Sequence, residues 1–475
     1  MKLRTQYITL ATAALLLMGA GGCKEDYFDM KDNPNLISNP PLNSLLSTTT
    51  QKTAYSSQRV GNITSYFVQY LASPGAGGQT DTYQITDYTS TWDYIYFAMA
   101  DLRDMKLKAQ EQGATDYVGV ADVMLAYHLN LIADTFGSGP YSDAFTGTTL
   151  TPTYDSEETL YTTALGLLNE AVTELAKTDS KVKLAAANDL IHKGSNTAWL
   201  KTANALKARM LNKVSKKSTY KPADVLDAVS KSYTANTDDA QMSSYLLRSP
   251  WAAVARNNAA LVLDGWLSNQ LVNQLNGTTY GLFDPRIEKI TDKTVNGTYV
   301  GTRNGQGNVG GNNTVKDEVY ISLNSTWTGD ASPLFIVTNA EMRFVEAEAA
   351  LRSGDKARAY TAYLNGIRAN MDKFGVAAAA RDAYVANAAV SVGADALTLD
   401  LIFKEKYVAT YLNPEAWNDA RRFDYKYKGF TLPLNAALGT SFIRRVAYPN
   451  GEISKNGKNV PADVPLSTPL WWDKQ

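Results

Sequence analysis

Ala340-Glu341-Met342-Arg343-Phe344-Val345-Glu346-Ala347-Glu348-Ala349-Ala350-Leu351-Arg352-Ser353-Gly354-Asp355 is the stretch on which the fold reading turns. Phe344, Ala347 and Leu351 recur at three- and four-residue steps, which places them on one face of a helix. Gly354-Asp355 interrupts the pattern as a turn. Beyond it Ala357, Tyr360, Leu364, Ile367 and Met371 resume the same period. The spacing therefore predicts two antiparallel helices within 340–373, with small residues where they cross.

A helical hairpin of this size, roughly 34 residues, is the dimension of one tetratricopeptide unit. The same period appears in 157–177, through Leu160, Ala164, Leu167, Leu168, Ala171 and Leu175. Ser156 stands before Glu157 and Glu158 there, an N-cap followed by acids that suit the positive end of the helix dipole. In 196–214, Trp199, Ala203, Leu206, Met210 and Val214 repeat it. No regular period joins these stretches, so any repeats are divergent and interrupted. The interruption is residues 276–333, rich in Gly, Asn and Thr, where Val295-Asn296-Gly297-Thr298-Tyr299-Val300 reads as a hairpin. Residues 24–45 read as an extended tether, because Asp32-Asn33-Pro34-Asn35 and Asn39-Pro40-Pro41 cannot sustain a helix.

Composition narrows the function. The 475 residues carry 46 Lys+Arg against 47 Asp+Glu, a balance that lacks the concentrated basic surface a nucleic-acid binder needs. A single cysteine excludes an intramolecular disulfide framework and a Cys-rich metal site, and two histidines leave little for a multi-histidine centre. The excess lies in 28 Tyr and 8 Trp, surface suited to stacking on a ligand. The start of the chain reads as an address: Lys2 and Arg4, an apolar run from Ile8 to Met18, then Gly19, Ala20, Gly21 and Gly22 before Cys23. The apolar run falls short of the roughly 20 residues a membrane span requires, so residues 1–22 are expected to be a signal peptide. Cys23 occupies the position where a bacterial lipoprotein is cleaved and acylated, although Ala20 stands where Leu is usual.

A search for catalytic chemistry finds neither a phosphate-binding loop nor a His-Glu-x-x-His helix nor a dinucleotide fingerprint. Gly305-Gln306-Gly307 and Gly310-Gly311 lie in a polar loop rather than between a strand and a helix. Glu346 and Glu348 are read as structural acids that pair with nearby Arg, and His128 as a packing residue. The expectation is a protein without catalytic residues or cofactor, and no residues are singled out as metal ligands.

Several ordered segments resemble the SusD/RagB-type nutrient-binding lipoproteins, in particular the SusD-like group described as starch-binding outer-membrane proteins. Asp32-Asn33-Pro34-Asn35 comes first, then Asp134-Thr135-Phe136-Gly137-Ser138-Gly139-Pro140-Tyr141-Ser142-Asp143-Ala144. Thr151-Pro152-Thr153-Tyr154, Asp189-Leu190-Ile191-His192-Lys193-Gly194 and Trp199 to Arg209 follow. Ala340 to Ala349, Trp417-Asn418-Asp419-Ala420-Arg421-Arg422 and Arg444-Arg445-Val446-Ala447-Tyr448-Pro449 complete the set. Ala133 and Gly139 depart from the family's usual residues. Lys24-Glu25-Asp26 resembles the signal that sends such lipoproteins to the outer face of the outer membrane. The resemblance implies an all-α fold: a right-handed superhelix of tetratricopeptide-like helix pairs over 46–475, with a loop-rich second part, about 276–333, and a few short strands. It also implies a non-enzymatic binding protein, lipid-anchored at Cys23 through a tether over 23–45. Its partner would be a SusC-like TonB-dependent β-barrel transporter, to which it hands oligosaccharides or, in some members, peptides. Asp134, Phe136, Pro140 and Tyr141 are then read as a turn between helices, and Trp417, Arg421 and Arg422 as a packed corner with buried ion pairing.

No segment of the resemblance supplies ligand residues. A sugar platform needs exposed aromatic rings beside amide and charged groups on loops. That criterion selects Tyr83, Tyr88 and Trp92 in one stretch, and Trp266, Tyr299, Arg303 and Trp327 in the middle region. Trp92 and Tyr96, four apart, also fit a core pair, and Trp327 also fits a plug beneath its loop. Three readings stay open on this basis: a glycan-binding lipoprotein, the same architecture holding peptides or another nutrient, and a surface glycosidase with an acid pair assembled in space.

Overall fold

The computed structural model describes residues 39–260, 265–309, 317–462 and 464–474. The expected signal peptide, Cys23 and Lys24-Glu25-Asp26 lie outside the described residues. Helix α1 (Leu42–Phe67) begins inside the stretch read as a tether: the proline run ends at Pro41, and Leu42, Leu45 and Leu46 are all buried. After β1 (Leu71–Ala72) come α2 (Thr89–Glu111), α3 (Thr115–Thr135), α4 (Glu157–Leu175), α5 (Asn196–Lys213) and α6 (Pro222–Ser230). Each of these helices packs on the one before it. The expected N-cap is in place, with Ser156 Oγ accepting the Thr159 N–H at 3.1 Å.

The stack is then interrupted, earlier than the Gly/Asn-rich segment suggests. Strand β2 (Ala240–Met242), α7 (Pro250–Ala259), β3 (Trp266–Leu267), α8 (Asn269–Leu275), α9 (Ile287–Ile290) and β4 (Leu334–Val337) form an excursion over 231–338. It closes on itself, because β2 pairs antiparallel with β4 through Ala240↔Val337 and Met242↔Leu334. A second pairing, Leu71↔Leu267 and Ala72↔Trp266, ties it to the chain after α1. At 295–300 the expected hairpin is present only as its turn: the Thr294 N–H reaches the Thr298 carbonyl at 2.8 Å, and Gly297 adopts φ +75°. No ladder follows, because Val300 instead accepts the Val319 N–H at 2.8 Å.

Helix α10 (Asn339–Ser353) resumes the stack directly on α6, with α11 (Lys356–Lys373) as its hairpin partner. Gly354 at φ +88° ends the first helix, and the Asp355 carboxylate caps the second by accepting the Arg358 N–H at 3.0 Å. The helices cross at Gly366, where a Cβ would lie 2.9 Å from the Phe344 ring. Then α12 (Ala378–Ala386), α13 (Leu399–Ala409), α14 (Glu415–Arg422) and α15 (Asn450–Asn456) complete the all-α architecture.

Where α5, α10, α13 and α14 meet, the interior is charged. Arg209 grips both Glu341 oxygens at 2.6 Å, and Arg422 bridges Glu348 at 2.8 and 2.9 Å to Asp419 at 2.7 Å. Lys406 reaches Asp419 at 2.8 Å, and Lys213 bonds Asp134. Burial opposes ionisation of Glu348, yet Arg422, Arg352 and Lys406 outweigh it and hold the carboxyl well below the usual carboxylate range. Arg421 lies 3.7 Å over Trp417 and donates to the carbonyls of Asp134 and Arg444, both at 2.7 Å. Glu346 pairs with Arg343 at 2.6 Å and Arg358 at 2.8 Å. His128 is buried, its Nδ1 2.7 Å from the Met124 carbonyl and its Nε2 3.2 Å from Ser56 Oγ.

Candidate functional site

A sugar ring stacks only on an aromatic face that solvent can reach, and four of the expected site residues fail that condition. Tyr83 is 1% exposed, because the turn over 78–84 places it at φ +63° and points the ring at Phe67, 6.0 Å away. Trp92 packs on Tyr96 at 4.7 Å and Phe136 at 4.9 Å, so the core reading of that pair holds. Trp266 is fully buried on β3 against Tyr320. Trp327 stands edge-on between Phe335 and Phe374, 5.0 Å from each, as a plug beneath its loop. These four are packing residues.

The other three keep accessible surface: Tyr88 and Tyr299 are half-buried and Arg303 is exposed. Tyr88 bonds Thr80 at 3.1 Å, and Tyr299 lies against Phe283 with Lys293 over its ring. Two of the loops that carry them are clamped together by Asp81. Its carboxylate accepts Asn304 Nδ2 and the Gly305 N–H, both at 2.5 Å, holding the 73–88 loop against 301–309. Burial pushes the Asp81 carboxyl up to about 6, against the pull of those two donors.

A further accessible aromatic arrangement, centred on α1, was not anticipated from the sequence. Helix α1 buries Leu46, Ala54, Val60 and Phe67 and turns Tyr55, Arg59, Asn62 and Tyr66 outward, at successive four-, three- and four-residue steps. The Arg59 guanidinium sits 4.4 Å over the Tyr94 ring of α2, a cation–π contact that fixes both groups. Phe97, one turn along α2, is 61% exposed. Tyr245, from the excursion, meets Tyr55 edge-on at 6.3 Å, and its hydroxyl bonds the carbonyls of Met242 and Ser332 at 2.8 and 2.7 Å. Burial raises the Tyr55 and Tyr94 hydroxyls above their ordinary value, so both remain protonated donors at neutral pH. Chemically, the stripe offers ring faces, hydroxyls, an amide and a guanidinium, which can stack and hydrogen-bond a neutral polar ligand. The step of Tyr55, Arg59, Asn62 and Tyr66 through a Ser/Thr-rich helix was the available signal. Among the described residues no group of three or more His, Cys, Asp or Glu is placed to hold a metal ion, and no helix is long and apolar enough to cross a membrane.

A stacked-hairpin scaffold interrupted by a loop-rich excursion defines a helical-repeat fold. The chain belongs to the SusD-like family described as starch-binding and associating with the outer membrane, whose model matches residues 34–449. Solved structures agree in fold. A SusD/RagB family protein from Bacteroides thetaiotaomicron superposes with TM-score 0.74 at 22% identity, covering 91% of this chain and 99% of that one. A chitin-binding SusD homologue from Flavobacterium johnsoniae gives 0.75 at 23% identity, over 91% and 97%. A SusD homologue from Bacteroides vulgatus gives 0.76 at 20% identity, over 90% and 97%. No curated protein matches the sequence.

Proposed function

We propose that this protein is a cell-surface glycan-binding lipoprotein. It is anchored in the outer membrane through lipid on Cys23, faces the exterior, and captures oligosaccharide on the Tyr55–Arg59–Tyr94–Tyr245 stripe for delivery to a SusC-like TonB-dependent barrel. The observation that carries this reading is the stripe itself: accessible rings and hydrogen-bonding groups drawn from two helices and the excursion, in a chain whose family is described as starch-binding. The chitin-binding relative supports glycan as the ligand class. Within the mature chain, residues 23–41 serve as the tether and the unit from Leu42 onward as the binding body.

The test is affinity electrophoresis of the purified chain against a panel of soluble polysaccharides and oligopeptides. Retardation by a glycan that Tyr55→Ala and Tyr245→Ala both weaken is the expected result. Retention of peptides alone would replace glycan with peptide. For the anchor, Cys23→Ala should move the protein from the membrane to the soluble fraction, and unchanged fractionation would refute it. For the transporter, a tagged chain should co-purify a TonB-dependent barrel from native membranes.

A further inference from the structure

Six asparagines of this chain precede a glycine: Asn276, Asn296, Asn304, Asn365, Asn450 and Asn456. The pairing is reactive, because glycine has no Cβ to keep its main-chain nitrogen away from the preceding side-chain amide. Five of the six are blocked. Asn304 and Asn456 are buried, and their amides donate to the Leu71 and Pro152 carbonyls, both at 2.9 Å. The Asn276 side chain donates to the Tyr299 carbonyl at 3.0 Å and accepts the Thr278 N–H at 2.9 Å. Asn365 lies within α11, whose main-chain ladder uses the Gly366 N–H, and Gly366 packs against Phe344. After Asn450, the Gly451 N–H donates to Thr89 Oγ1 of α2 at 3.1 Å, a contact between distant parts of the chain.

Asn296 is open. It is exposed in the 294–298 turn, its side chain bonds no described residue, and nothing lies within 4 Å of where a Cβ on Gly297 would be. The Gly297 N–H is held by the Thr294 carbonyl at 3.0 Å, a bond inside a turn that no ladder continues. Such a local bond opens at far less cost than one that ties distant elements together. We infer that Asn296 is a modification site at which the chain reacts with water, without an enzyme, to give aspartate and isoaspartate. The Gly297 nitrogen gives its proton to solvent and attacks the Asn296 side-chain carbonyl carbon. The Cγ–Nδ2 bond breaks, and the departing nitrogen takes a proton from solvent and leaves as ammonia. Water then adds to one carbonyl of the five-membered imide and reopens it, so amide and water have become carboxylic acid and ammonia with no change in oxidation state. Opening at the side-chain carbonyl gives aspartate. Opening at the main-chain carbonyl gives isoaspartate, which threads Cβ into the backbone and lengthens the turn. Either product sets a carboxylate three residues from Lys293 and three from Tyr299, the ring that Lys293 covers.

Incubation of the full chain in mildly alkaline buffer, followed by peptide mapping in a mass spectrometer, tests this independently of any ligand. In the folded protein Asn296 should convert at least about tenfold faster than any of the other five, the ratio that about 1.4 kcal/mol of extra opening free energy produces. In denaturant, where every turn is open, the six should convert at similar rates. Asparaginyl, aspartyl and isoaspartyl forms of the 296 peptide separate by chromatography, and both acidic products should appear. Earlier conversion of another asparagine in the folded chain would overturn the assignment. So would an Asn296 that stays intact while the denatured control converts. Aspartate as the sole product would overturn the imide route.

Discussion

Two polar regions of this molecule are built on opposite terms. Where α5, α10, α13 and α14 converge, Arg209, Glu341, Glu348, Asp419 and Arg422 are buried and held in ion pairs. On the outer face of α1, Tyr55, Arg59, Tyr94 and Tyr245 keep part of their surface open and hold one another only by ring contacts. The first arrangement fixes how four helices meet, because charges removed from water must find matched partners or cost several kcal/mol. The second leaves bonding capacity unspent. In this fold the buried charged residues make structure, and the aromatic residues that structure leaves exposed make the surface proposed for the ligand.

Breaking the buried side should have the largest effect. Glu348→Ala leaves Arg422 half-paired in the interior and should lower unfolding free energy in denaturant by about 3–5 kcal/mol; a loss below about 1 kcal/mol would mean the junction is not what organises the helices. Protonation comes next. Burial holds the His128 imidazole down to about 4, while in the unfolded chain it titrates at its ordinary value. Between those values the unfolded state binds more protons, so stability should fall as pH drops from about 6.5 to 4, by on the order of 3 kcal/mol, and His128→Gln should remove that share of the slope. Asp81 has the opposite sign. Its raised value means the native state holds a proton that the unfolded chain has lost, so this group's contribution should fall as pH rises from about 4 to 6. Asp81→Asn should flatten that rise-linked loss in thermal unfolding, and an unaltered profile would remove the clamp from the account.

The exposed side should respond in binding rather than folding. Tyr55→Ala and Tyr245→Ala should each weaken glycan binding by about 1–2 kcal/mol, with melting temperature nearly unchanged. Arg303→Ala, at an exposed loop position away from the stripe, should alter affinity by less than about 0.5 kcal/mol. A larger loss there would move the site toward the 301–309 loop.

The helical hairpins were legible because their periodicity, Ser156 and Gly354 are local signals that local structure obeys. The recognisable segments were legible for a related reason. Arg209, Glu341, Glu348, Asp419 and Arg422 all fall within them, and each needs its partner's chemistry and length to be preserved. The candidate site was not legible in the same way. Tyr83 and Trp327 sit among polar neighbours in sequence, yet long-range contacts with Phe67 and Phe374 bury them, as contacts with Phe136 and Tyr320 bury Trp92 and Trp266. Exposure is a tertiary property, and neighbouring polar residues do not report it. Tyr245 shows the converse: nothing within five residues of it reveals that α1 stands opposite.

Because β2 and β4 bring the ends of the excursion together before α10 rejoins α6, added length in the chain between them costs the scaffold little loop-closure entropy. The body of the excursion is nonetheless locked to the stack, where the buried Arg286 guanidinium meets Glu405 of α13 at 2.5 Å and Asn370 of α11 at 2.8 Å. An exchange of 231–338 between relatives would replace Tyr245 and Trp251 in one step, and should keep the stack intact only where the incoming segment still supplies a cation to Glu405, so that a change of nutrient and this one buried pair would be inherited together.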